Sequence, residues 1–201
     1  MTALVEAARE ILDWLDAAGW RACVIGGLAV QRWGEPRLTQ DVDLTVLVGL
    51  GDEARFIDGV LGRFDGRRPD ARRFALTYRV LLVRASVGVP LDMALGSTQF
   101  EVESVDRSSN WEIEPGRVIR TCSAEDLVVH KLIAGRPRDV ADVESIVARQ
   151  SGHLDSERVR RTLAAFAELK EDPELGRPFE RALVRAAESR GTAQPGGASR
   201  D

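Results

Sequence analysis

The sequence predicts an α+β fold, a mixed-sheet core followed by a helical C-terminal half, and three observations predict it. Between residues 20 and 95 short apolar runs recur with a period of two; from Ser123 onward the apolar period becomes helical; and glycine or Gly-Pro turns punctuate both halves. A chain of 201 residues accommodates one ordinary domain, or a compact core with a helical appendage. The composition divides it into a core over 1–120, a helical region over 121–190 and a Gly/Pro/Ser-rich tail over 191–201 expected to be disordered.

Taken in order, Leu4, Ala7, Ala8, Ile11, Leu12 and Leu15 fall at helical spacing, and Gly19 ends that helix. Trp20–Ile25 is a strand-like run broken by Gly26-Gly27, and Leu28–Trp33 makes one or two helical turns before Gly34 and Pro36. Asp41–Val48 alternates, with Val42, Leu44, Val46 and Val48 on one face and Asp41, Asp43 and Thr45 on the other. Glu53–Leu61 reads as a helix. Arg79–Val87 and Val89–Leu95 read as a hairpin turning at Gly88, with Asp92 opposite the apolar face of Val89, Leu91, Met93 and Leu95. Ser123 and Asp126 resemble a capping box for a helix that continues through Leu127, Val128, Leu132 and Ile133. After the turn Gly135-Arg136-Pro137, helices are expected over 139–149, 155–170 and 174–189.

Composition removes several classes. The 28 cations against 32 acids, a net charge of −4, argue against a generally basic nucleic-acid coat protein. No apolar run reaches the roughly 18 residues of a membrane span, and the N-terminal pattern, with Glu6, Arg9, Glu10 and Asp13, is not that of a signal peptide. Cys23 and Cys122 are too few for a disulfide scaffold or a zinc site. A cytoplasmic protein without a membrane partner is the expectation. Of the 28 cations only Lys131 and Lys170 are lysines.

The residues that carry chemistry are Gly26-Gly27 followed by Asp41-Val42-Asp43. Two carboxylates two residues apart on a strand point the same way and repel unless a cation sits between them. Such a pair suits Mg²⁺, a hard ion that prefers oxygen ligands and keeps coordination positions for phosphates. A glycine turn before a helix lets backbone N–H groups approach a phosphate. Asp92 is the candidate to complete a carboxylate triad.

Val24-Ile-Gly-Gly-Leu-Ala-Val30 followed by Arg37-Leu-Thr-Gln-Asp-Val-Asp-Leu44 resembles the nucleotidyltransferase signature. The stretch from Ser123 to Val143, with Lys131 ahead of Arg138-Asp-Val-Ala-Asp142, is similar to the segment of AbiEii/AbiGii-type toxin nucleotidyltransferases. The resemblance covers roughly residues 5–170 and implies a polymerase-β-like core. It also implies transfer of a nucleoside monophosphate from a nucleoside triphosphate to an acceptor hydroxyl, with release of pyrophosphate. On this resemblance Asp41, Asp43 and Asp92 hold Mg²⁺ (or Mn²⁺), and Gly26, Gly27, Arg37, Thr39 and Lys131 bind the nucleotide. Lys131 offsets charge near the phosphates, while Asp92, Asp139 and Asp142 compete for the roles of base, third ligand and positioning group. His130 and His153 receive no role.

The resemblance implies an RNA such as tRNA, or a protein, as acceptor, and a cognate antitoxin as partner. Two alternatives stand beside it: modification of a small molecule such as an aminoglycoside, and a nucleotide-binding regulatory protein without transfer. Arg63, Arg67, Arg68, Arg72 and Arg73 form a cluster able to meet RNA phosphates, although the stretch reads more simply as a mobile solvated loop. Trp14, Trp20 and Trp33 read as packing residues, and Trp111 as a candidate exposed contact.

Overall fold

The computed structural model describes residues 2–192, so the expected tail lies outside the described residues from 193 onward; Gly191 and Thr192 belong to the last helix. The chain runs α1 (Thr2–Ala17), β1 (Ala22–Ile25), α2 (Gly26–Trp33), β2 (Val42–Leu47), α3 (Glu53–Leu61), β3 (Asp65–Gly66), α4 (Ala71–Tyr78), β4 (Val80–Arg84) and β5 (Pro90–Gly96). It continues through α5 (Gln99–Asp106), β6 (Ser109–Glu114), β7 (Arg117–Thr121), α6 (Ala124–Ala134), α7 (Pro137–Arg149), α8 (Ser156–Lys170) and α9 (Arg177–Thr192).

These elements form two compact units. The first comprises the chain to Arg32 and Pro36–Leu127; the second comprises Trp33–Glu35 and the chain from Val128. The first unit is built on a seven-stranded mixed sheet of order β3-β4-β5-β2-β1-β7-β6. β2 runs antiparallel to β1 and parallel to β5, which joins β4 as the expected hairpin, with Gly88 in its turn at φ 83°. The alternation of β2 acts as anticipated. Val42, Leu44, Val46 and Val48 are fully buried and share a core with Ile11 and Leu15 of α1, Phe56 and Ile57 of α3, and Leu91 and Met93 of β5. Trp14 and Trp20 pack edge-on against Phe64 and Phe56.

Five elements of this unit go beyond what the sequence predicts. β6 and β7 pair at one edge of the sheet. There Trp111 packs on the core, so the expectation of an exposed contact is corrected. α5 is set by a capping box in which Thr98 and Glu101 each satisfy the other's backbone N–H. The arginine-rich stretch is no open loop: it holds the short β3 and α4, and α4 ends without glycine because Arg79 takes φ 53° and is bolted down by its own side chain. That guanidinium donates to the Leu95 and Val48 carbonyls, 3.0 Å each, and pairs with Glu53.

The second unit is helical. Pro137 opens α7 at the first turn, where its missing N–H costs nothing. Val143, Ile146 and Val147 of α7 are buried, as are Phe179 and Ala182 of α9, against which α7 packs. Asp155 caps α8 by accepting from the Arg158 N–H at 3.0 Å. Among the described residues no helix is long and apolar enough to cross a membrane.

Candidate functional site

In the first unit, sheet register assembles the carboxylates. Asp43 of β2 lies opposite Asp92 of β5, both on the face turned away from the core, and Asp41 stands just ahead of β2. Oxygen atoms of Asp41, Asp43 and Asp92 all lie within 4.8 Å of one another, and each side chain is half-buried. The donor set therefore fits a hard divalent ion: three carboxylates, all oxygen, converge with more negative charge than one neighbouring cation can offset. Burial raises the Asp92 carboxyl above its ordinary range, and the charge of Asp41 adds to this; Arg67 pulls the other way.

The glycine pair is fixed by the same locality, Gly26 by Asp43 and Gly27 by Thr39. Gly26 follows β1 directly and opens α2 at φ 62°, the left-handed region. A Cβ there would overlap the Asp43 carboxyl group, standing 2.7 Å from the Asp43 Cβ. A Cβ at Gly27 would come to 2.9 Å from the Thr39 Cβ. The Thr39 hydroxyl donates to Asp41 at 3.0 Å. The Arg37 carbonyl accepts from Gln31, and its guanidinium donates to the Leu38 carbonyl at 3.3 Å. Gly26, Gly27, Arg37, Thr39, Asp41, Asp43 and Asp92 thus form one locality.

Lys131, Asp139 and Asp142 form a second cluster in the helical unit. The Lys131 ammonium of α6 lies 3.2 Å from Asp139 and 2.8 Å from Asp142, two α7 residues one helical turn apart, and all three side chains are at most 6% exposed. Arg136 adds a 2.6 Å bond from its Nε to Asp139, whose carboxylate also accepts from the Arg136 backbone N–H. Burial pushes Asp139 up, but Arg136 and Lys131 together outweigh it and hold the carboxyl below its ordinary range.

Two participants escaped the sequence reading. Arg136 stands in the sequence only as part of a turn. Arg67 stands there as one cation of a patch, yet its guanidinium pairs with Asp92. The rest of that patch is also paired: Arg63 with Glu10, Arg68 and Arg73 with Asp70, and Arg72 with Asp58. A local excess of positive charge therefore does not describe it. What the patch does present is a stack, with the Arg68 guanidinium 4.4 Å from the Phe74 ring centroid and Phe74 4.7 Å from Tyr78, which is 66% exposed.

A mixed sheet carrying paired carboxylates at a strand start, a glycine strand-to-helix turn beside them and a third carboxylate on the adjacent parallel strand defines a nucleotidyltransferase-like fold. The fold is similar to that of an antigenic nucleotidyltransferase-like protein from Paracoccidioides brasiliensis, with TM-score 0.52 and 16% identity over 89% of this chain and 93% of that one. It is also similar to the antibiotic-resistance factor ANT(2'')-Ia. The solution structure of that factor gives TM-score 0.50 and 18% identity over 96% of this chain and 99% of that one. Its crystal structure in complex with adenylyl-2''-tobramycin gives 0.51 and 19% over 83% and 98%. No curated protein matches the sequence. The family of the nucleotidyl transferase AbiEii toxin, Type IV TA system, matches residues 19–194, and the chain belongs to it. The protein is a nucleotidyltransferase.

Proposed function

We propose that the protein transfers a nucleoside monophosphate from a nucleoside triphosphate to a hydroxyl of an RNA such as tRNA, as the toxin of a toxin–antitoxin pair with a cognate antitoxin. The observation that carries the reading is the convergence of Asp41, Asp43 and Asp92 beside the Gly26 turn. In the reaction the acceptor oxygen forms a bond to the α-phosphorus, the bond from that phosphorus to the bridging oxygen breaks, and pyrophosphate leaves. Asp41, Asp43 and Asp92 would hold Mg²⁺ or Mn²⁺. Such an ion supplies polarisation of the phosphoryl oxygens and neutralisation of charge. Thr39 orients Asp41 through its hydroxyl, Arg37 and the N–H groups opening α2 receive phosphate oxygens, and Gly26 and Gly27 leave room for both. Asp139 and Asp142 are committed to holding Lys131, which is proposed as a charge required for transfer. Asp92 is then the carboxylate that takes the acceptor proton.

The RNA acceptor is supported by the exposed Arg68–Phe74–Tyr78 stack, a surface on which an unpaired base can lie. The toxin role is supported by family membership. The test incubates the protein with each labelled nucleoside triphosphate, Mg²⁺ and total RNA, beside Asp43→Asn. Label on RNA from the native protein alone is expected. Pyrophosphate released without labelled RNA would replace RNA by a protein or small-molecule acceptor. Binding without turnover of any triphosphate would end the enzymatic reading. Expression should slow growth, and Asp41→Asn should relieve it.

A further inference from the structure

Arg67 is the one cation of its arginine cluster that reaches the carboxylate triad; the other four pair with Glu10, Asp58 and Asp70. Its place does not depend on that side-chain contact. The Arg67 backbone N–H donates to the Leu82 carbonyl at 2.9 Å, extending the β3–β4 pairing, and Leu82 lies opposite Asp92 in the β4–β5 register. The backbone thus presents residue 67 on the far side of β4 from Asp92, with Leu82 between them in the register. From there the guanidinium donates to Asp92 Oδ1, with both side chains about one-third exposed or less. Nothing in the folding of β3 requires a cation at this position, because the backbone bond is available to any residue but proline.

We propose that Arg67 is a built-in counter-ion of the metal site, competing with a divalent cation for Asp92. This rests on the reading of Asp41, Asp43 and Asp92 as metal ligands. A carboxylate oxygen that accepts a charge-assisted bond from a guanidinium has that lone pair committed, so an ion recruiting Asp92 must displace Arg67. An ion arriving alone displaces it without compensation. An ion arriving on a triphosphate brings phosphate oxygens that accept the guanidinium in turn, a geometry for which arginine's planar fork is suited. The site therefore takes metal weakly by itself and more readily as the metal–triphosphate complex.

Mn²⁺ alone is the probe, its binding read by electron paramagnetic resonance of the free ion, for the full-length native protein, Arg67→Gln, Asp92→Asn and the double variant. Arg67→Gln should bind Mn²⁺ about fivefold or more tightly, the worth of a partly exposed charge-assisted pair. In the Asp92→Asn background the same substitution should change affinity by less than about twofold, since the contact is already gone. Unchanged affinity in Arg67→Gln overturns the proposal. So does an equal gain in both backgrounds, which would mark Arg67 as a distant charge and nothing more. Asp41→Asn separates the two levels: if it binds Mn²⁺ as the native protein does, the metal reading itself fails and the proposal with it.

Discussion

Replacing Lys131 by Met removes the cation from between two carboxylates that are 1% and 4% exposed. Asp139 keeps Arg136, whereas Asp142 loses an ammonium 2.8 Å away. Breaking a buried pair from one side costs about 3–5 kcal/mol, and Arg136 places the expectation at about 3. The pH dependence then changes sign. In the native protein the folded-state value of Asp139 is depressed, so its contribution is present above the unfolded value near 3.9 and is lost only as pH falls through the folded value. It is constant between about pH 5 and pH 8. In the variant, a carboxylate buried without its cation has a raised folded value, so the folded state binds the extra proton and stability declines as pH rises. The gap between the two proteins should therefore shrink by about 1–2 kcal/mol on going from about pH 8 to about pH 5. Urea unfolding followed by helical circular dichroism at both values measures it, and Lys131→Met with Asp142→Asn should recover at least half of the loss. A gap under about 1 kcal/mol at both pH values, with no recovery in the double variant, refutes the claim that Lys131 neutralises this cluster. The double variant, folded and without the ammonium, is also the one in which loss of transfer reports on chemistry and not on folding.

Gly26→Ala should lose about 1–2 kcal/mol from the left-handed φ alone, and weaken Mn²⁺ binding because the Asp43 carboxylate must move; thermal unfolding and metal titration check the two parts separately. Arg107→Ala should cost about 2–4 kcal/mol, because Arg107 donates to both oxygens of the buried Asp126, at 3.1 and 2.8 Å, and its loss would leave that carboxylate to the Ser123 hydroxyl; chemical denaturation measures it. Burial pushes the Cys23 thiol up to about 12 and Cys122 well above its ordinary value. Neither should react with a disulfide reagent near pH 8 until denaturant is added, and rapid labelling of the native protein would contradict the packing.

Elements with one buried and one open face were legible because burial imposes a period. β2, α3 and the β4–β5 hairpin come directly from alternation or helical spacing, and the capping serine of α6 accepts from the Asp126 N–H as read. β6 and β7 are too short for their period to stand out: Ser109, Asn110, Glu112 and Glu114 are exposed at a sheet edge, Trp111 and Ile113 turn inward, and Ile119 is the one apolar side chain of β7 that is buried. α5 carried a readable Thr-x-x-Glu cap that its polar composition hid. At the site, alternation was enough to place Asp41 and Asp43 on one face and Asp92 on the polar face of its own strand. The parallel β2–β5 register that sets Asp43 beside Asp92 is a long-range choice with no local signal. The pairing of Arg67 with Asp92 spans 25 residues and two further strand pairings, so residue spacing carried no trace of it.

The scarcity of lysine acquires a physical meaning at one position. Among the described residues Lys131 is the one buried cation, in a chain whose 28 cations include only two lysines. Elsewhere the protein shows what it does when an arginine meets a buried carboxylate: Arg107 lays two donors of its fork on the two oxygens of Asp126. That geometry serves one carboxylate in one plane. The α7 helix instead offers two carboxylates from successive turns, and a compact ammonium with three rotatable donors divides between them, at 3.2 and 2.8 Å, in less volume than a guanidinium needs. Arginine here would have to satisfy one carboxylate and crowd the other in a place with almost no solvent to relieve it. A bias toward arginine that covers the surface except at Lys170 therefore stops where one compact cation must reach two buried acids, of which Asp139 alone is also served by Arg136.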